Sequence, residues 1–242
     1  MPDLYDTNLP NEGNRKPDWL KVKVPQGERF AWIRDRARGA NLHTVCEEAR
    51  CPNIGECWQG GTATFMLMGD TCTRGCRFCS VKTLRTPGPL DDSEPVNIAE
   101  TIRTMGLDYV VLTTVNRDDL PDQGASHIAD TIRRAQLASP DLLIEVLIPD
   151  FQGEAACLEA VLKAKPAVLA HNIETVERLQ HPVRDPRANL AQSLQVLRHA
   201  KVHAPEIYTK SSIMLGLGET EAEVMEAMGA LRAIDVDFLT LG

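Results

Sequence analysis

From residue 62 onward the sequence alternates short apolar runs with stretches of helical period, and this alternation constrains the fold more tightly than any other feature. Six runs, at 62–68 (TATFMLM), 108–115 (DYVVLTTV), 142–148 (LLIEVLI), 166–171 (PAVLAH), 207–215 (IYTKSSIML) and 237–241 (DFLTL), have the length and composition of strands. Between them lie apolar residues three or four apart: Ile98, Ile102 and Met105; Ile128, Ile132 and Ala135; Leu158, Val161 and Leu162; Leu190, Leu194 and Leu197; Val224, Met228 and Leu231. Each set falls on one helical face, which can pack on a sheet. Strand alternating with helix predicts right-handed βαβ units and a parallel sheet. Such units can close most of a (β/α) barrel or form an open doubly wound sheet. The α/β reading favoured here is a partial (β/α)6 TIM-like barrel over residues 62–242, with residues 1–61 as an N-terminal extension. Within the extension, residues 1–27 are polar and proline-rich with no sustained period and read as a flexible or surface-wrapping arm.

The choice of a barrel rests on the polar residues at the ends of the runs. After the second come Thr114, Asn116, Arg117, Asp118 and Asp119; after the third, Pro149 and Asp150; after the fourth, His171, Asn172 and Glu174. The fifth carries Lys210, Ser211 and Ser212 and leads into GLGE at 216–219. In a parallel barrel these strand ends emerge on one face, where active sites lie. Taken singly each residue has a plainer reading. Asn172 can cap a turn, Asp118 with Asp119 reads as a solvated loop, and GLGE reads as a strand-to-helix turn.

After the first run comes DTCTRGCRFCSV at 70–81, which places Cys72, Cys76 and Cys79 within eight positions of a chain that has seven cysteines in 242 residues. A closed structural zinc site wants four ligands. Three thiolates suit a [4Fe–4S] cluster whose fourth iron is left open to something other than protein. A second triad lies upstream in CEEARCPNIGEC, at Cys46, Cys51 and Cys57. A helical start followed by the break at PNIG lets the three converge on one object. Burial as small hydrophobes is the competing reading, but Glu47, Glu48, Arg50 and Glu56 leave little core for them. Cys157 stands alone on an apolar helical face and reads as a core residue. Arg74, Arg77, Lys82 and Arg85 give the downstream loop a basic character, expected to offset thiolate charge and help admit a carboxylate.

The formal net charge of −8 excludes a general binder of phosphate backbones, so no nucleic-acid partner is expected. No apolar run reaches the length of a membrane span, and the N-terminus has neither the basic start nor the apolar stretch of a signal peptide. A cytoplasmic protein with reduced thiols is expected, its cysteines serving as metal ligands or reactive groups.

Cys72-x3-Cys76-x2-Cys79 resembles the signature of the radical S-adenosylmethionine (SAM) superfamily, and the upstream Cys-x4-Cys-x5-Cys is similar to that of the lipoyl synthase family. Further segments, ATFMLMGDTCTRGCRFCSV, VVLTTVNRDDLPDQGA, EVLIPDF, LAHNIETVERL and TKSSIMLGLGE, resemble the same family, so the likeness runs from Trp19 onward. The resemblance implies two [4Fe–4S] clusters. One is held by Cys72, Cys76 and Cys79 and binds SAM at its open iron; an auxiliary one is held by Cys46, Cys51 and Cys57. It implies sulfur insertion at C6 and C8 of a protein-bound octanoyl group, begun by a 5′-deoxyadenosyl radical, with the auxiliary cluster surrendering its sulfide. The implied partners are an octanoylated lipoyl-domain or glycine-cleavage H-type carrier protein and a low-potential electron donor. Thr114, Asn116, Asn172, Lys210 and Ser212, with Arg184 from HPVRD, are the candidate contacts to SAM and substrate.

The family's pattern continues past DFLTLG into an Arg-Ser-Ser-Tyr motif whose serine ligates the auxiliary cluster. Ser211–Ser212 lacks the flanking Arg and Tyr, so the resemblance implies that the chain is a fragment or that its auxiliary site is incomplete, with SAM cleavage uncoupled from sulfur insertion. A biotin synthase-like enzyme or a methylthiotransferase would share the downstream triad but place the second triad's ligands differently. A non-catalytic metal-cluster scaffold would account for the cysteines but not for converging strand ends.

Overall fold

The structure is a computed structural model that describes residues 31, 32, 34, 35, 39, 42–48, 51 and 53–242. The arm read over residues 1–27 lies outside the described residues. All six expected strands form: β2 (Thr62–Leu67), β5 (Tyr109–Thr114), β6 (Leu143–Leu147), β7 (Val168–Ala170), β8 (Tyr208–Ile213) and β9 (Phe238–Leu241). Helices α3 (Glu94–Met105), α4 (Ala125–Ala138), α5 (Ala155–Leu162), α7 (Leu190–His203) and α8 (Glu221–Arg232) separate them, with the short α6 (Gln180–Val183) ahead of α7. Among the described residues no helix is long and apolar enough to cross a membrane.

The six strands are parallel and stand side by side in chain order, β2-β5-β6-β7-β8-β9. A doubly wound sheet reverses its order at a switch point. This one never does, so right-handed crossovers place every helix on the same face and the sheet curls into a partial barrel. Alternate strand residues carry that packing. Ala63, Phe65, Leu67, Val110, Leu112, Ile144, Val146 and Leu169 are buried in one cluster with Ile98, Ile102, Ile128, Ile132 and Val161 of the helices. Cys157 belongs to this cluster, as expected. A second cluster joins Ile213 to Leu197, Ala227 and Leu231. The intervening residues face the concave side. There Glu145 accepts hydrogen bonds from Tyr109 Oη on β5 (2.6 Å) and from Lys210 Nζ on β8 (2.8 and 2.9 Å), the latter reaching across β7.

Three strands of two residues each were not legible in the alternation, two of them in the cysteine loop. β1 (His43–Thr44) pairs antiparallel with β2, placing His43 opposite Met66 and Thr44 opposite Phe65. It covers the open edge of the first barrel strand. It leads into α1 (Val45–Glu48), and after a turn at Asn53 comes α2 (Ile54–Gln59), whose Trp58 is fully buried in the main cluster. The helix break expected over PNIG is therefore shorter than that motif: Ile54 and Gly55 already open the next helix.

The end of β2 is held by a close approach. Met68 sits at φ 69°, its backbone N–H donating to Glu94 Oε2 (2.8 Å), and its side chain rests on Gly124, itself at φ 85°. A Cβ at Gly124 would run into Met68 Sδ. Gly124→Ala is therefore expected to lower stability by about 1–3 kcal/mol, the usual cost of overpacking, measured by urea unfolding.

Candidate functional site

Leaving β2, the chain turns through Gly69 at φ 84° into a loop pinned at its base by two short parallel strands, β3 (Thr71–Cys72) and β4 (Lys82–Thr83). The pairing fixes Cys72, which is buried, and lets Cys76 (part-buried) and Cys79 (exposed) stand nearer the tip. The loop lies on the C-terminal face of the sheet. Together with the ends of β5, β6 and β7 it encloses a cavity of about 380 Å³. Cys72, Cys76 and Cys79 line it, and so do Thr114, Asn116, Asn172 and Arg184. Lys210 and Ser212 do not: both lie within β8, where Lys210 is bound to Glu145. GLGE forms a self-closed turn, Glu219 accepting from the N–H groups of Gly216 (2.5 Å) and Leu217 (2.9 Å).

The donors around the thiols suit anionic sulfur. Cys72 Sγ accepts from the backbone N–H of Arg74 (3.4 Å) and of Asn116 (3.3 Å), and Cys76 Sγ from that of Asp185 (3.3 Å). Asn116 thus acts on the cysteine loop through its backbone, its carbonyl also accepting from Thr73 N (3.0 Å). Burial pushes the Cys76 thiol above its usual pKa, the Asp185 N–H bond working the other way. Among the described residues no three His, Cys, Asp or Glu side chains close around a single ion, as zinc would need. A four-iron cube takes each thiolate at a different iron, a wider arrangement. With N–H donors already aimed at two of the sulfurs, the Cys72–Cys79 loop fits such a cluster.

The basic character expected of this loop is cancelled at two of its four positions. Arg74, only 4% exposed, is forked between Asp118 and Asp150, and Lys82 pairs with Asp70. Burial opposes the Arg74 cation, and the bonds and charges of the two aspartates overcome it, raising its pKa. Burial also opposes both aspartates, yet the same contacts hold them below the usual carboxylate range. Asp118 is not a solvated loop residue, because the guanidinium draws it inward. Asp185 and Arg187, both in the HPVRDPR stretch that yielded Arg184, escaped the sequence reading. Their alternation of charges was the available signal.

Arg184 is treated differently. It is buried, and its Nη1 reaches only neutral acceptors: Ile173 O (3.4 Å), Gln180 Oε1 (3.0 Å) and Ser193 Oγ (2.9 Å). Burial lowers its pKa. Ser193 passes the interaction on to His171 Nε2 (2.9 Å), and His171 Nδ1 donates to Ile148 O (2.9 Å). That carbonyl can only accept, so Nδ1 carries the proton and Nε2 accepts from the serine hydroxyl. Burial, before any charge, takes His171 down to about 4. Glu174, beside Arg184, is raised by burial.

The upstream thiols are also gathered. Cys51 N donates to Cys46 O (3.0 Å), and Ile54 N to Cys51 O (3.3 Å), folding the segment back on itself. Cys57 is pushed up first by burial and then by the charges of Cys46 and Cys51, the mark of thiols close enough to repel one another. Val45, adjacent to Cys46, lines the same cavity as the downstream triad.

The chain matches the radical SAM superfamily over residues 66–231 and the N-terminal domain of lipoyl synthase of the radical SAM family over residues 3–51. It is 56% identical to the mitochondrial lipoyl synthase of Homo sapiens, over 99% of this chain and 67% of that protein. It is 60% identical to the lipoyl synthase of Anaeromyxobacter sp. (strain Fw109-5), over 94% and 77% respectively. The mitochondrial lipoyl synthase of Arabidopsis thaliana is 57% identical over 94% and 62%. The chain thus spans 62% to 77% of the length of these curated relatives. Among solved structures, the FeFe-hydrogenase maturase HydG from Carboxydothermus hydrogenoformans superposes with a TM-score of 0.61 at 14% identity, over 91% of this chain and 62% of that one. Methylornithine synthase superposes at 0.58 and 14%, over 87% and 63%. At such identities the likeness is one of fold.

Because the folded pKa of His171 lies near 4 and its usual value is 6.5, the unfolded chain binds the extra proton between these limits. The stability held by neutral His171 is complete above pH 6.5 and drains as the pH falls toward 4. A loss of about 3 kcal/mol across that window is expected of this group. His171→Gln should flatten it, as measured by urea unfolding of the cluster-free chain at stepped pH.

Proposed function

Since the chain belongs to the lipoyl synthase family of the radical SAM superfamily, we propose that it inserts sulfur at C6 and C8 of an octanoyl group carried on a protein, producing the lipoyl cofactor. One observation carries this reading beyond family membership: a single cavity is lined both by Cys72, Cys76 and Cys79 and by Val45, the neighbour of Cys46. A substrate chain in that cavity lies within reach of both triads. In this reading Cys72, Cys76 and Cys79 hold the SAM-binding [4Fe–4S] cluster, and Cys46, Cys51 and Cys57 hold an auxiliary one. When bound, these groups supply hydrogen-atom abstraction and the inserted sulfur.

The remaining work falls to the chain. Val45, Met66, Phe78, Val81, Leu147 and Ile148 make much of the cavity apolar, which suits an alkyl chain and keeps water from it. Arg184 presents a buried cation that no aspartate or glutamate pairs with among the described residues, a receptor for the SAM carboxylate. Neutral His171 holds Arg184 in place through Ser193 without adding a second charge. Thr114, Asn116 and Asn172 line the same space as further contacts; Lys210 and Ser212, on the concave face of β8, stand farther along the barrel. The octanoyl donor is a lipoyl-domain or H-type carrier protein, the electron comes from a low-potential donor, and the location is the cytoplasm, a reducing compartment in keeping with seven free cysteines.

The two triads should separate on mutation. Cys76→Ala is expected to abolish reductive cleavage of SAM, whereas Cys51→Ala keeps formation of 5′-deoxyadenosine yet adds no sulfur. Chromatography of the nucleoside and mass spectrometry of an octanoylated carrier read the two outcomes. Equal loss of cleavage in both variants, with the fold retained, contradicts the division. For Arg184→Gln, loss of a charged hydrogen bond predicts at least about a tenfold weaker affinity for SAM by equilibrium binding.

A further inference from the structure

Arg74 lies inside the cysteine loop, two residues after Cys72 and two before Cys76, and every polar part of it is engaged. Its backbone N–H points at Cys72 Sγ (3.4 Å), and its carbonyl accepts from Thr83 Oγ1 (3.1 Å). The guanidinium grips Asp150 with Nη1 and Nη2 (both 2.7 Å) and Asp118 with Nε (3.0 Å) and Nη2 (2.7 Å). Asp118 follows β5 and Asp150 follows β6, so one side chain ties the loop to two strand ends. A neighbouring set completes the hold. Gly75 N donates to Asp185 Oδ2 (2.9 Å), Asp185 N donates to Cys76 Sγ (3.3 Å), and Arg187 Nη2 caps Thr73 O (2.7 Å) while Nη1 reaches Asp118 (3.3 Å).

We propose that Arg74 is a positioning residue that sets the reduction potential of the cluster held by Cys72, Cys76 and Cys79, by fixing the backbone whose N–H groups point at the sulfurs of Cys72 and Cys76. The inference rests on the reading of this loop as a cluster site. An N–H donor at a ligating sulfur stabilises the more negative, reduced cluster and so raises the potential. Cys72 receives two such donors, from Arg74 and Asn116, and both belong to segments that the Arg74 fork holds together: the cysteine loop and the loop after β5. The positive charge of Arg74 is already outweighed by Asp118 and Asp150, so the contribution assigned to it is geometric. Lysine cannot replace it, since an ammonium has no planar fork with which to hold two carboxylates at once.

The test uses the 242-residue chain, reconstituted anaerobically with iron and sulfide, with potentials taken from EPR-monitored redox titration and iron counted per chain. Arg74→Gln, Arg74→Lys and Asp150→Asn are each expected to shift the potential of the SAM-responsive cluster to more negative values, and to release iron to a chelator about tenfold faster. Asp150→Asn is the discriminating variant. Removal of an anion near a cluster raises the potential by electrostatics alone, whereas loosening of the N–H donors lowers it. A potential at or above that of the unmodified chain in Arg74→Lys or Asp150→Asn overturns the inference. Should the Arg74 variants not fold, Asp150→Asn and Thr83→Val, which frees the Arg74 carbonyl, carry the test, and unchanged potentials in both overturn it. An unmodified chain that assembles no SAM-responsive cluster overturns the reading of the site as well. A normal cluster there with unmoved variants overturns the role of Arg74 alone.

Discussion

A guanidinium is tolerated inside a protein only where carboxylates and acceptors meet it, and the C-terminal face of this sheet is organised around one such meeting. Arg74 enters from the cysteine loop, Asp118 from the end of β5 and Asp150 from the end of β6. Removing Arg74 leaves two buried carboxylates without their shared cation, and removing either aspartate leaves half of the guanidinium fork without an acceptor. The cost of that imbalance holds three separate strand ends in register above the sheet. Cys72 and Cys76 inherit their positions from it, and the cavity beside them has its walls where these loops stop.

The same face contains a second buried arginine with the opposite environment. Arg184 meets carbonyl, amide and hydroxyl oxygens rather than an acidic partner, and Glu174 beside it is pushed by burial toward the neutral form. Arg74 is a cation committed to structure, whereas Arg184 is a cation held by neutral acceptors, the one proposed to receive a carboxylate. His171 marks the boundary between them: a charged imidazole would add to both positive groups, and burial keeps it neutral. A polar site with few ionised groups in contact with solvent, opening onto apolar walls, suits chemistry from which water must be kept away.

The N-terminal segment belongs to the same construction. β1 closes the free edge of β2, and Trp58 enters the core behind it, so the segment bearing Cys46, Cys51 and Cys57 is anchored to the first barrel strand. The downstream cysteine loop leaves β2 at the same C-terminal half with which β1 pairs, through Met68 and Gly69. Val45, next to Cys46, thereby comes to line the cavity that Cys72, Cys76 and Cys79 line. Their separation in sequence is bridged by a sheet edge.

Strand and helix periodicity was readable without coordinates because it reports a local requirement: apolar residues at spacing two or three to four had to share one buried face of their element. The six strands, five helices and the solitary burial of Cys157 follow from that pattern. So did the two cysteine triads, whose spacing is a property of the chain. Relations between residues far apart in the sequence lay beyond it. β1 is two residues long, too short to leave a period. Asp118 read as solvated because its partner Arg74 is 44 positions away, and Arg74 read as a source of positive charge because Asp150 is 76 away. Lys210 and Ser212 were grouped with the strand ends, yet pleating turns them onto the concave face, where Lys210 meets Glu145. Local pattern was enough to specify which elements form and which residue types can bind metal. Three-dimensional packing was needed to settle which charges are cancelled, which meet only neutral acceptors, and which backbone N–H groups face the sulfurs, since burial and ion pairing depend on neighbours that chain order does not specify.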